Sequence, residues 1–160
     1  YFYNAKWLNF GGGHHITRDD YDTKALVDLI KYVQNKYDVE VYLEPGEAAA
    51  LNAGYLITEV MDIVHNGLDI LILDASAACH MPDVLEMPYR PPLKNSGDYS
   101  FDNEINIGDR LVFEDMAIYS MVKNNTFNGM PLPAIILMHN EDNCEVIKEF
   151  SYNDFKERLS

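Results

Sequence analysis

Two hydrophobic periods alternate along the first fifty residues. Residues 6–10, Lys-Trp-Leu-Asn-Phe, form a short apolar stretch that runs into Gly11-Gly12-Gly13 and predicts a strand closed by a glycine turn. A polar stretch rich in capping residues follows at 17–23. From there Leu26, Leu29, Ile30, Val33 and Tyr37 recur at helical spacing, with Asp22 or Thr23 placed to cap the helix. Residues 39–43 are a second strand-like run, stopped by Glu44-Pro45-Gly46. The order is strand, helix, strand. If the strands are parallel, both closing turns lie on one rim, the rim at which α/β barrels and open α/β sheets bind ligands.

Past residue 47 the pattern changes. Residues 48–54 are small and tightly packing. β-type runs then dominate at 55–64, 68–75, 110–113 and 134–138, separated by the turn signals His65-Asn66-Gly67, Asn106-Ile107-Gly108-Asp109 and Asn128-Gly129. This spacing predicts a β-domain, barrel-like in closure. The longest apolar runs, 68–78 and 132–138, read as buried strands, and 152–159 as a short amphipathic helix. The expected class is therefore α/β plus β, with an α/β part over residues 1–50 and a C-terminal β-domain over 51–160. A lone strand-helix-strand of about 50 residues does not bury both of its faces. The chain also opens on Tyr1-Phe2-Tyr3 without a methionine, so it reads as a portion of a longer one.

Composition narrows the functional classes. An apolar fraction of 48% in 160 residues supports a real core and excludes a disordered chain. No apolar run approaches the ~18 residues of a membrane span. With 26 acidic against 12 basic residues the net charge is −14, which argues against nucleic-acid binding and suits a cationic ligand. Two cysteines, Cys79 and Cys144, make no disulfide framework, so a reducing cytoplasm is expected.

Four stretches carry candidate chemistry. Asn9-Phe10-Gly11-Gly12-Gly13-His14-His15 offers backbone N–H groups to a phosphate without side-chain obstruction. His14 and His15 are adjacent and point opposite ways in an extended segment, which is poor spacing for one metal, so no metal site is expected. Glu44-Pro45-Gly46-Glu47 ends a strand in a carboxylate, which either pairs with a cation such as a protonated pyridine nitrogen or an ammonium, or serves as a cap or salt bridge. In the run from Asp74 to Pro92, Cys79 reads as buried and inert, and Asp83 follows a proline at a turn, free to reach a ligand. In Phe113-Glu114-Asp115-Met116-Ala117-Ile118-Tyr119, Tyr119 reads as a strand-end phenol able to donate to a phosphate, or else as a core aromatic.

Together these stretches resemble the alanine-racemase-like (fold-type III) pyridoxal-phosphate decarboxylases. The combination is the triglycine, Glu-Pro-Gly some thirty residues on, and Phe-Glu-Asp-Met-Ala-Ile-Tyr with Thr126-Phe127-Asn128-Gly129. Residues 42–54 and 74–92 are similar to the carboxynorspermidine decarboxylases within that group. The resemblance implies that residues 1–50 are the last strands of a (β/α)8 barrel that binds pyridoxal 5'-phosphate, and that a β-domain completes the site across a homodimer. It implies that Gly11, Gly12, Gly13 and Tyr119 hold the cofactor phosphate and that Glu44 pairs with the pyridine nitrogen. Glu47 stands where ornithine decarboxylases have arginine. With Asp83 it would bind the ammonium groups of a carboxylated polyamine, and Arg90 would face the substrate carboxylate. Two departures stand out. No lysine has the context of the family's Schiff-base residue. Lys94-Asn95-Ser96 also runs directly into Gly97-Asp98-Tyr99, where the family has a glycine-rich Cys…Asp loop. The chain thus reads as an incomplete portion of a decarboxylase. The alternatives are a diaminopimelate- or ornithine-type decarboxylase, or a non-catalytic binding relative.

Overall fold

The computed structural model describes residues 4–97, 100–101 and 103–159. It is mixed α/β with small sheets. The chain forms two compact units, one reaching Ala53 and the other beginning at Gly54.

The first unit is built around two parallel strands, β1 (Trp7–Asn9) and β2 (Glu40–Tyr42), joined by the helix α1 (Thr23–Tyr37). Leu8 lies beside Val41 and Asn9 beside Tyr42. A parallel pair needs a crossover of this kind, and the helical period of 26–37 supplies it. Asp22 caps α1 by accepting the Ala25 N–H at 2.9 Å, and Asp38 closes it in the left-handed region, its N–H donating to Gln34 O. Val33 of the helix and Val39 ahead of β2 are buried. Backbone pairing continues past both strands, with Phe10 N donating to Tyr42 O at 3.0 Å and Glu44 N to Gly11 O at 2.9 Å. The triglycine and Glu44 therefore share one end of the pair, as a parallel register requires. A one-turn helix, α2 (Gly46–Ala50), follows directly, with Pro45 at its N-cap.

The second unit holds a three-stranded antiparallel sheet in the order β4-β3-β5. The central β3 (Leu56–His65) is ten residues long. Its first half pairs with β5 (Arg110–Phe113) and its second half with β4 (Asp69–Leu73), the register shifting between Val60 and Asp62. Two short helices, α3 (Ala77–His80) and α4 (Pro82–Glu86), pack over one end. Leu56, Met81, Phe113 and Met116 form the core there, with Leu73, Ala75, Val84 and Leu93 against it. After β5 come α5 (Tyr119–Lys123), a 3-10 turn at Phe127–Gly129, the hairpin β6 (Ile135–Asn140) and β7 (Asn143–Lys148), and α6 (Tyr152–Glu157). Ser151 and Asp154 form a reciprocal capping box at the start of α6.

Two strand expectations are corrected. The run 68–78 holds a strand only at Asp69–Leu73, and that strand is half-buried to exposed. It lies at the sheet edge, and Ala77–His80 turns into helix. The run 132–138 begins its strand at Ile135, and most of that strand is exposed because β6 pairs with β7 alone among the described residues. Among those residues the two sheets of this unit are separate and open. No helix among them is long and apolar enough to cross a membrane.

One buried polar contact pins β3 to the segment after β4. Thr58 is 2% exposed and its hydroxyl donates to Asp74 Oδ1. The Glu59 N–H donates to the same oxygen at 2.9 Å. Removing the acceptor strands a buried hydroxyl, so Asp74→Ala is expected to destabilise the unit by about 1–3 kcal/mol. Asp74→Asn, which keeps an acceptor, should lose less. Urea unfolding curves of the two variants that overlay each other would contradict this role.

Candidate functional site

The first cluster lies at the shared end of β1 and β2. Asn9, the last residue of β1, bridges it: its Oδ1 accepts the Gly11 N–H at 2.8 Å, and its Nδ2 donates to Glu44 Oε1 at 2.6 Å. Gly11 and Gly13 have φ of +75° and +77°, which favour glycine over any other residue. At Gly12 a Cβ would sit 3.1 Å from Glu44 O, a tight contact to which the backbone would have to yield by a few tenths of an ångström. The result is a turn with no side chain of its own, facing a fixed carboxylate. Glu44 is exposed, so the burial cost read from the sequence does not arise. Its pairing with Asn9 is a matter of aim rather than of compensation.

The two histidines after the turn diverge, as their adjacency dictates. His14 Nδ1 meets Tyr21 OH at 3.2 Å, while its Nε2 is a buried atom without a partner among the described residues. His15 Nδ1 lies 2.7 Å from Glu47 Oε2, and Arg18 Nη1 lies 4.0 Å from Glu47 Oε1. Glu47 thus already stands between two basic groups of its own unit.

The second cluster lies on α4 and α5. Asp83 is not at an open turn. It occupies the first turn of α4, is 8% exposed, and its Oδ1 accepts from Lys123 Nζ at 3.0 Å. The proline before it starts a helix, as proline at a first helical position does. Lys123 also donates to Glu86 Oε2 at 2.6 Å and lies 5.0 Å from the centre of the Tyr119 ring. Tyr119 is likewise not at a strand end. β5 stops at Phe113, Asp115 turns the chain at φ +57°, and Tyr119 opens α5 half-exposed. Beside it, burial and then the charge of Asp83 hold the Tyr89 phenol above the usual tyrosine range, with the Ser120 hydroxyl opposing.

Arg90 is engaged elsewhere. Its Nη2 donates to Ser96 Oγ at 2.9 Å and to Gly97 O at 2.6 Å, bracing the turn at the point where the Cys…Asp loop is expected. Asp98 and Tyr99 lie outside the described residues. Cys79 is buried, with Sγ 3.6 Å from Phe127 O. His80 accepts the Ser76 N–H through Nδ1, and its Nε2 lies 2.9 Å from Pro131 O. The sequence assigns no individual part to Asn9, Tyr89, Glu86 or Lys123. Their partners lie up to 40 residues away, which local spacing does not reveal.

No protein-family model matches the chain. The carboxynorspermidine/carboxyspermidine decarboxylase of Campylobacter jejuni is 40% identical over 187 residues, covering 96% of this chain and 49% of that protein. A carboxyaminopropylagmatine decarboxylase of Synechocystis is 36% identical over 184 residues, covering 99% of this chain and 48% of that protein. Both aligned spans exceed the 160 residues of the chain, so the matched regions include positions without a counterpart here. Among solved structures, carboxynorspermidine decarboxylase of C. jejuni in complex with norspermidine matches with a TM-score of 0.80 and 40% identity, over 96% of this chain and 51% of that one. Diaminopimelate decarboxylase of M. jannaschii shares the fold at 20% identity and a TM-score of 0.71, over 96% of this chain and 42% of that one. The chain spans about half the length of the curated relatives it matches. Over nearly its whole length it is similar to the C-terminal part of the carboxynorspermidine/carboxyspermidine decarboxylases.

Proposed function

We propose that the protein is a pyridoxal-phosphate-dependent decarboxylase that converts carboxynorspermidine or carboxyspermidine into norspermidine or spermidine, and that this chain supplies part of it. The observation that carries the reading is the Asn9 bridge, which fixes a side-chain-free glycine turn and an aimed carboxylate at one end of a parallel strand pair. Residues 1–50 are, in this reading, the last strands of a (β/α)8 barrel and 51–160 the C-terminal β-domain.

The residues present fit the cofactor. The triglycine leaves room for a phosphate against the backbone, with no side chain within 4 Å of a Cβ built at Gly11 or Gly13. When bound, pyridoxal phosphate supplies the electron sink for the pair left behind as CO2 departs. Glu44 holds a proton on the ring nitrogen and thereby keeps that sink electron-poor. Tyr119 donates to the phosphate. Glu47 and Asp83 supply carboxylates to ammonium groups of the substrate, Asp83 sharing its carboxylate with Lys123 Nζ, and Arg90 pairs with the substrate carboxylate once it leaves Ser96 Oγ and Gly97 O. The Schiff-base lysine and the proton-donating cysteine are assigned to no residue of this chain. A cytoplasmic homodimer with shared sites belongs to the same reading.

The test is kinetic, on the full-length protein. Glu47→Ala and Asp83→Ala should each raise KM for the carboxylated polyamine by about tenfold or more, the worth of one hydrogen bond to a charged group. Unchanged kinetics in both variants would sink the substrate assignment. Faster turnover of diaminopimelate or ornithine would move the chain to that branch. Absence of any cofactor absorbance would leave a non-catalytic relative.

A further inference from the structure

The ammonium of Lys123 sits at a three-way junction that the roles above leave unused. Asp83 and Glu86 are one turn apart on α4, so both carboxylates face the same side. Tyr119 and Lys123 are one turn apart on α5, so the ammonium lies against the Tyr119 ring. One cation thus ties a buried acid on one helix to an exposed phenol on the next. The bonds to Glu86 and then to Asp83 hold its pKa above the usual lysine value, so it stays charged.

Neither helix orients these groups unaided. Each has five residues, too few for a helix to stand by itself. Neither begins with a side-chain cap bond. Downstream, Asn125 anchors the chain by donating its backbone N–H to Cys79 O and its Nδ2 to Ala78 O, both at 2.9 Å. At the upstream end of α5 Tyr119 is half-exposed, and the cation against its ring restrains it.

We infer that Lys123 is a positioning residue: it holds the Tyr119 ring and the Asp83 carboxylate in one arrangement, and through Tyr119 it sets the affinity for the cofactor phosphate. This rests on the proposed reading of Tyr119 as a phosphate donor. Lys123 acts through the phenol, against whose ring its ammonium lies.

The test uses the full-length protein freed of cofactor and retitrated with pyridoxal phosphate. Lys123→Met keeps most of the stem and removes the charge. It should weaken cofactor binding by about 2- to 5-fold, the worth of an exposed cation on a ring. The same change in a Tyr119→Phe background should have no further effect, because the phosphate contact is already gone. Lys123→Arg should restore most of the affinity. A second readout needs no cofactor: in protein with ring-labelled tyrosine, the Tyr119 resonance, assigned through Tyr119→Phe, should move in Lys123→Met. Equal loss of affinity in both backgrounds would overturn the inference, as would lowered thermal stability with unchanged affinity and an unmoved resonance. A wild-type protein that takes up no cofactor would instead remove the proposed function, and the inference with it.

Discussion

Gly54→Ala is expected to loosen the core of the second unit more than any other single methyl addition at its glycines. A Cβ at position 54 would lie 2.7 Å from Ala117 Cβ, 3.0 Å from Ala117 N and 3.1 Å from its Cα. Two of those three atoms are backbone, so no rotamer change relieves the clash. Gly54 O also accepts the Met116 N–H at 2.9 Å, and Met116 is 4% exposed in the core. The added methyl therefore pushes on the segment that carries a core side chain and leads into α5. Overpacking of this kind costs about 1–3 kcal/mol, or roughly 5- to 150-fold in the opening equilibrium. The probe has to lie in the right unit. The single tryptophan, Trp7, reports on the first unit, whereas Cys79 is 2% exposed in the second. Alkylation at Cys79, followed by peptide mass spectrometry, should accelerate by that factor, while exposed Cys144 reacts at once in both proteins. Ala117→Gly in the same chain should restore only part of the protection, because the backbone contacts remain. An unchanged rate at Cys79 would show that the 116–117 segment yields freely.

What the sequence disclosed and what it withheld follow from length and separation. The strand-helix-strand of the first unit was legible because fifteen residues of α1 display the helical period, and because Asp22 and the glycine turn punctuate its flanks. The helices α3, α4 and α5 were not legible. With four or five residues each they never complete a second turn, and their apolar residues read equally well as strand. That is why the sequence pattern places Asp83 on a turn and Tyr119 at a strand end, whereas both stand on helices. The hairpin partner β7 was missed because Asn-Cys-Glu-Val-Ile-Lys lacks the apolar density of a buried strand, and the structure leaves it exposed. In the candidate site, the triglycine and Glu44 were legible because glycine runs and strand-end carboxylates mark themselves locally. Asn9 was not, because its bond to Glu44 spans 35 residues, and Lys123 was not, because its bond to Asp83 spans 40. Local pattern reports which residues are unusual, whereas only the fold reports which of them meet.

Glu44→Gln is expected to have the largest effect on catalysis of any substitution in this chain. Glutamine has nearly the shape of glutamate and keeps an oxygen for Asn9 Nδ2, which now donates to Oε1 at 2.6 Å. The glycine turn, fixed through Asn9 Oδ1, is left as it is. Glu44 is exposed, so neutralising it leaves no buried charge unpaired and costs folding little, within the ~0.5 kcal/mol usual for surface positions. What disappears is the negative charge that, in the proposed reading, would face the ring nitrogen of the cofactor. A neutral amide would not hold a proton on that nitrogen, and the bound ring would be a poorer electron sink. Losing one such oriented electrostatic contact costs about 10²–10³-fold in turnover. The loss should fall on kcat, with KM for the polyamine and thermal stability nearly unchanged, because the role proposed for Glu44 is toward the ring nitrogen and the residue is exposed. Asn9→Ala should give a smaller loss of the same kind. It leaves the charge but frees its aim, and it releases the Gly11 N–H as well. Single-turnover decarboxylation by the full-length protein separates these cases. A Glu44→Gln variant that turns over within about threefold of wild type would show that the ring nitrogen owes its proton to another group, and would remove the role proposed for the Asn9 bridge.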